Sequence, residues 1–157
     1  RSDGAMLLQR RAVGKYHSGG LWSNACCSHP REGEDTLAAA HRRLAEEMGL
    51  CCALEPALTL LYRASLGNGL VEHEYDHVFR GACDDAPAPD PAEADDWCWM
   101  PVRQLVRDVT CRPHEYTVWF RMLLPTMLAV AARPVEAMSG VARRRLPHLC
   151  THHPQEA

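Results

Sequence analysis

Ser28–Leu50 reads SHPREGEDTLAAAHRRLAEEMGL, and its pattern decides how the rest of the chain is understood. Asp35 or Thr36 can cap a helix on which Leu37, Ala40, Leu44 and Met48 recur at helical spacing. Gly49 is a natural stop, because glycine accepts the left-handed backbone that ends a helix. Arg43 and Glu47 lie four residues apart and share a face. Carboxylates on such a helix and on the loop before it suit a hard divalent cation. The plain alternative is a solvated amphipathic helix, since Glu-Glu before Gly is common. The spacing of Glu34 and Arg42 ahead of that pair argues against it.

Upstream, Ala5–Gln9 reads as a strand running into Arg10 and Arg11, and Gly14–Gly20 as a loop. Downstream, Thr59–Leu66 and Leu70–Gly81 form a hairpin around Gly67-Asn68-Gly69. Glu72, Glu74 and Asp76 fall on one face of its second strand, and Val71, His73, Tyr75, His77 and Phe79 on the other. A three-residue loop sets Tyr62 opposite Glu74, whereas a two-residue loop shifts the pairing by one. Asp84–Asp96 is expected to be a surface loop and Trp97–Met100 a strand, with Pro101 opening a helix through about Asp108. Tyr116–Ala132 suits a helix packed on the sheet, bent at Pro125. Strands and helices in this order argue for an α+β sandwich. One domain over residues 1–135 is expected, with 136–157 a flexible, His-rich tail.

A chain of 157 residues with 46% hydrophobic and 24% charged side chains can bury one core. A net charge of −3 gives no reason to expect nucleic acid or an anionic membrane as partner. No apolar run reaches spanning length. The eight cysteines form no regular framework and no CxxC pair, so free thiols in a reducing cytoplasm are expected. The chain opens at Arg1 rather than Met, which reads as a processed chain or a fragment.

Aligned on Gly49 and Leu50, the opening stretch resembles the Nudix box, G-x5-E-x7-R-E-U-x-E-E-x-G-U, with Glu34, Arg42, Leu44, Glu46 and Glu47 at matching places. The resemblance implies a Nudix-like α/β/α sandwich with a mixed β-sheet. Two positions depart: Ser28 replaces the first Gly, and Arg43 replaces the first helical Glu. Nudix hydrolases use that Glu for the metal that activates water, so something other than hydrolysis is favoured. A cation at this place attracts phosphate instead.

Just before the box stands Trp22-Ser23-Asn24-Ala25-Cys26-Cys27-Ser28-His29-Pro30, and after it Glu72-His73-Glu74. Flanking a Nudix box, these resemble the N-x-C-x-H-P and E-x-E marks of the type I isopentenyl diphosphate isomerases, over about residues 4–131. That family moves a double bond by adding one proton and removing another, with two acid/base groups facing across the substrate. The resemblance implies Cys27 and Glu74 as that pair and Tyr62 as the hydroxyl on the catalytic Glu. Trp119 becomes the aromatic face over a tertiary carbocation. Arg11, Lys15 and Arg43 match basic residues around the diphosphate. Glu47, with the Cys27 carbonyl, matches the holder of the substrate's Mg²⁺. His29, Glu72 and Glu74 match ligands of a second divalent metal, for which Mn²⁺, Mg²⁺ and Zn²⁺ all remain open. The partner implied is a small diphosphate.

The family's second metal site takes two further histidines from a segment preceding the first residue here, where an early core strand and a diphosphate-binding lysine also lie. The resemblance therefore implies an early strand missing, and either a fragment of a longer enzyme or loss of activity. His17 is the nearest upstream histidine, in the Lys15 loop; His73, His77, His148, His152 and His153 match no family ligand. Two other readings stand beside the isomerase: a Nudix diphosphate hydrolase resting on Glu34, Glu46 and Glu47, and a non-catalytic diphosphate-binding remnant.

Overall fold

A computed structural model of the chain describes residues 1–67 and 69–131. The elements run β1 (Ala5–Arg11), β2 (Trp22–Asn24), α1 (Thr36–Met48), β3 (Leu54–Gly67), β4 (Leu70–Gly81), β5 (Ala94–Pro101), α2 (Val102–Cys111), a 3₁₀ turn (Pro113–Glu115) and α3 (Val118–Ala131). Antiparallel ladders join β2, β1 and β5 in that order, and β3 with β4. Among the described residues every ladder is antiparallel, and an isolated parallel bridge outside them joins Trp22 and Tyr116. The expected tail at 136–157, with His148, His152 and His153, lies outside the described residues.

Strand β1 explains the layering. Successive side chains of a strand point to opposite faces. Leu7 joins a cluster with Leu44, Met48 and Leu50 on the α1 side. Its neighbour Leu8 joins Leu105, Trp119, Phe120 and Leu124 on the α2/α3 side. A helix layer on each face of a sheet is the α/β/α sandwich. Leu8 and Phe120 are fully buried, and each contributes about 1.5–3 kcal/mol by leaving water.

Helix α1 starts where its cap dictates. The Asp35 carboxylate accepts from the Leu37 and Ala38 backbone N–H groups, both at 3.0 Å, an arrangement worth about 0.5–2 kcal/mol. Gly49 ends the helix with φ +63°. A Cβ there would lie 2.7 Å from the Ala88 carbonyl oxygen, so the site excludes side chains for two reasons.

The hairpin register is more instructive. Gly67 pairs with Leu70, a two-residue connection that would by itself set Tyr62 against Tyr75. A bulge between Ser65 and Gly67 restores the pairing of Tyr62 with Glu74. Glu72, Glu74 and Asp76 are half-buried on the inner face, whereas Val71, His73, Tyr75 and His77 are exposed.

Several boundaries differ from the sequence expectation. Strand β3 begins at Leu54 rather than Thr59, carrying Pro56 next to a second irregularity where no ladder donor is needed. The expected surface loop ends earlier, because Ala94 and Asp96 already pair with Arg11 and Arg10 in β5. Pro101 pairs with Ala5 and so closes β5, standing just before α2 instead of inside it. That helix continues to Cys111. Tyr116 and Thr117 precede α3 because Thr117 donates its N–H to the Trp22 carbonyl at 2.9 Å. No disulfide forms among the described cysteines. Among the described residues no helix is long and apolar enough to cross a membrane.

Candidate active site

A cleft of about 750 Å³ opens between the hairpin and the body of the sandwich, and Cys27, His29, Arg43, Glu74, Asp76 and Trp119 all line it. Arg11, Lys15, Glu47, Tyr62 and Glu72 stand behind its wall, each joined to a wall residue directly or through one further side chain.

On the hairpin side, the Tyr62 hydroxyl donates to Glu72 Oε2 at 2.8 Å and to Glu74 Oε2 at 3.3 Å. Burial, then the hydrogen bond to Glu72, pushes the Tyr62 phenol up, so it stays a donor. His29 Nε2 lies 3.3 Å from Glu74 Oε1. Burial, then the Glu74 and Glu72 charges, raises the Asp76 carboxyl to about 6. Three carboxyl groups share one half-dry face, where burial and like charge both favour the protonated form.

Cys27, which lines the same cleft, is half-buried. Its thiol is pushed up to about 12 by burial and then by the Asp76 and Glu74 charges. It therefore holds its proton at neutral pH, which suits an acid rather than a nucleophile. Ser23 positions this segment. Its hydroxyl receives the Trp119 indole N–H at 3.0 Å and bonds Thr117 Oγ1 and Asn24 Oδ1, both at 3.0 Å. Asn24 Nδ2 then donates to the Cys26 carbonyl at 2.6 Å.

Three cations stand along or behind the wall of the cleft. The Arg11 guanidinium sits 5.2 Å over the Trp119 ring, is buried, and leaves its Nε without a partner. A buried guanidinium with an idle donor is a seat for an anion. Arg43 donates Nε and Nη2 to Glu47 Oε1 at 3.1 and 2.7 Å, and Nη1 to Glu46 at 2.8 Å. Lys15 bonds Glu93, which also accepts from Arg43 Nη2 at 3.1 Å. Burial would raise the Glu93 carboxyl, but those two cations outweigh it and hold it low.

Glu47 is buried and also accepts from Gln9 Nε2 at 3.3 Å, while Gln9 Oε1 is buried without a partner. Carboxylate and amide oxygens side by side fit a hard, oxygen-seeking cation. The set His29, Glu72 and Glu74 is different. Its members meet pairwise through Tyr62 and the His29–Glu74 contact, and the His29 side chain is 77% exposed. Among the described residues no three His, Cys, Asp or Glu side chains stand together as a metal cage. The three ligands expected for a second metal therefore do not form a site by themselves.

Two participants, Ser23 and Glu93, carry no signal in the sequence, and the partners of a third, His17, are not legible there. A small polar residue in a short strand such as Ser23 announces no role of its own. Glu93 sits in a stretch of Pro, Ala and Asp that looks like solvent-facing loop. His17 reaches Glu72, with Nε2 3.5 Å from Oε1, and packs edge-on against Trp119. Ser18, next in the chain, takes φ +53°, an unusual backbone for a non-glycine residue, in the turn that delivers it.

Comparison with known proteins identifies the family. The NUDIX domain family matches residues 1–125. Isopentenyl-diphosphate Delta-isomerase 2 of Aromatoleum aromaticum is 52% identical over 128 residues, covering 82% of this chain and 68% of that protein. The Delta-isomerase of Pectobacterium atrosepticum is 53% identical over 117 residues, covering 74% and 65%. That of Serratia proteamaculans is 48% identical over 141 residues, covering 90% and 77%. The chain thus spans about two thirds to three quarters of the length of these relatives. A solved structure of the MutT protein from Methanosarcina mazei shares the fold at TM-score 0.67 and 16% identity, over 83% of this chain and 88% of that one. With a Nudix sandwich, an altered box and these relatives, the chain belongs to the NUDIX domain family and, within it, to the isopentenyl-diphosphate Delta-isomerases.

Proposed function

We propose that the chain converts isopentenyl diphosphate to dimethylallyl diphosphate by protonating the alkene on one face and removing a proton on the other. The observation that carries this reading is that Cys27, Glu74 and Trp119 all line one cleft. Cys27, kept protonated by its surroundings, delivers a proton to the terminal alkene carbon. The positive charge then rests on the adjacent tertiary carbon, facing the Trp119 ring. Glu74 takes a proton from the next carbon, and the double bond forms there. Tyr62 holds the carboxylate in place through its hydroxyl, with Glu72 as the second anchor.

Arg11, Lys15 and Arg43 receive the diphosphate. Glu47, with the Cys27 carbonyl and with Gln9 alongside, would hold Mg²⁺, which when bound neutralises diphosphate charge. No step is routed through a second metal, since His29, Glu72 and Glu74 do not make a cage. The thiol-rich composition suits a reducing compartment such as the cytosol. A hydrolase reading is weakened by the box itself, where Glu34 is bound by Arg42 at 2.7 Å and Glu46 by Arg42 and Arg43 at 2.9 and 2.8 Å.

The test is incubation with isopentenyl diphosphate and Mg²⁺ in D₂O. Deuterated dimethylallyl diphosphate supports the proposal. Phosphate release from a nucleotide panel supports a hydrolase, and Mg²⁺-dependent binding without turnover supports a diphosphate-binding remnant; either would replace it.

A further inference from the structure

Glu93 stands between two cations that the chain brings together from distant places. One oxygen faces Lys15 Nζ and the other accepts from Arg43 Nη2 at 3.1 Å. All three side chains are about one-fifth to one-quarter exposed, at 21, 24 and 20% in the order Glu93, Lys15, Arg43. The backbone fixes the carboxylate there. Asp90 N–H bonds the Glu47 carbonyl at 3.0 Å and Ala88 N–H the Met48 carbonyl at 2.9 Å, clipping the loop to the end of α1. The Glu93 carbonyl takes the Ala12 N–H at 2.9 Å, clipping it to the end of β1. Glu93 thus sits at a fixed point between the helix that carries Arg43 and the strand that leads to Lys15.

The electrostatics give this carboxylate a task. Two cations held side by side repel, and one negative charge between them offsets that repulsion. Arg43 has three acidic partners, Glu46, Glu47 and Glu93. Glu47 is the one proposed to turn toward a cation, and Glu46 extends Arg43 along its own helix. Glu93 alone ties Arg43 to Lys15.

We propose that Glu93 is a positioning residue for substrate binding: it sets Lys15 and Arg43 as a matched pair for one diphosphate group. This rests on the reading that those two cations receive the diphosphate. Without the carboxylate, each cation keeps its charge but loses its orientation, so affinity for diphosphate falls while the acid/base pair is untouched.

Calorimetry with MgCl₂ and inorganic diphosphate on the whole chain tests it, alongside the isomerase assay and thermal melts. Glu93→Gln, which keeps size but loses charge, should weaken diphosphate binding by about tenfold, as loss of a charge-assisted bond predicts. KM for isopentenyl diphosphate should rise in step while kcat stays within about twofold. Glu93→Asp, which keeps the charge on a shorter stem, should fall between wild type and Glu93→Gln, and serves if the latter does not fold. Lys15→Ala should cost less in the Glu93→Gln background than alone, because both act on one contact. Unchanged or tighter diphosphate binding in Glu93→Gln overturns the proposal, as does a strictly additive cycle or a fall in kcat that tracks a lowered Tm. Wild-type chain that binds no diphosphate overturns the cation reading and Glu93's role together. Chain that binds diphosphate with the predicted Glu93 dependence but forms no deuterated product leaves Glu93's role standing and removes the isomerase.

Discussion

Tyr62 faces Glu74 directly across the β3–β4 ladder, yet its hydroxyl lies closer to Glu72, at 2.8 Å against 3.3 Å. One phenol therefore holds two carboxylates that would otherwise repel each other. Both belong to the face that looks into the cleft, so the hydroxyl fixes where the proposed base stands.

Replacing Tyr62 by Phe keeps the ring in its buried place and removes that donor. Turnover should fall by about tenfold to a hundredfold with KM within about twofold, the signature of a misplaced base rather than lost binding. Steady-state kinetics decide it, and an unchanged kcat would mean the hydroxyl serves only the fold.

Cys27→Ala and Glu74→Gln should each lower deuterium incorporation by at least about a hundredfold. Because the Cys27 thiol is pushed up to about 12 by burial and then by Asp76 and Glu74, iodoacetamide should alkylate it slowly at pH 8. Rapid alkylation there would show a thiolate and contradict its role as the acid.

Glu34 offers a test of the altered box by pH. Its carboxyl is held down at about 2, against a usual 4.5, chiefly by the Arg42 side chain and then by the Arg31 N–H. A depressed carboxyl stabilises the fold fully above its unfolded value and loses that contribution as pH falls through the folded one. The stability gap between wild type and Glu34→Gln should therefore be complete above pH 4.5 and close as pH approaches 2. Melts across that window check it; a gap independent of pH would assign the effect to packing.

Gly49→Ala should destabilise the chain by about 1–3 kcal/mol, since a left-handed backbone and the Ala88 carbonyl both oppose a Cβ. Chemical denaturation measures this. A neutral result would mean that the loop from Asp84 onward moves aside without cost.

What the sequence disclosed and what it hid divide along physical lines. Helix α1 was legible at both ends because Asp35 and Gly49 act locally, through their own backbone neighbours. Tyr62 opposite Glu74 was legible only as one of two registers, and the observed one depends on a bulge near Leu66 that no residue type announces. In the sequence β5 starts at Trp97, because Ala94, Asp95 and Asp96 look like loop; their place in the strand comes from β1, which is remote in sequence. The roles of Glu93 and of His17, the latter visible only as the nearest upstream histidine, are hidden for the same reason. Each becomes meaningful only once the fold sets it beside Lys15 and Arg43, or beside Glu72.

The Ser23 hydroxyl has one proton to give and two lone pairs to offer. With the Trp119 indole N–H pointing in and Asn24 Oδ1 receiving, the Thr117 hydroxyl is left only the role of donor. The Asn24 amide is then locked in one orientation, its nitrogen toward the Cys26 carbonyl. The wiring from indole to that peptide has a single sense and no alternative tautomer or flip. A directed run of hydrogen bonds thus ties the Trp119 ring to the turn that carries Cys27, so the proposed acid and the aromatic wall share one anchor at Ser23.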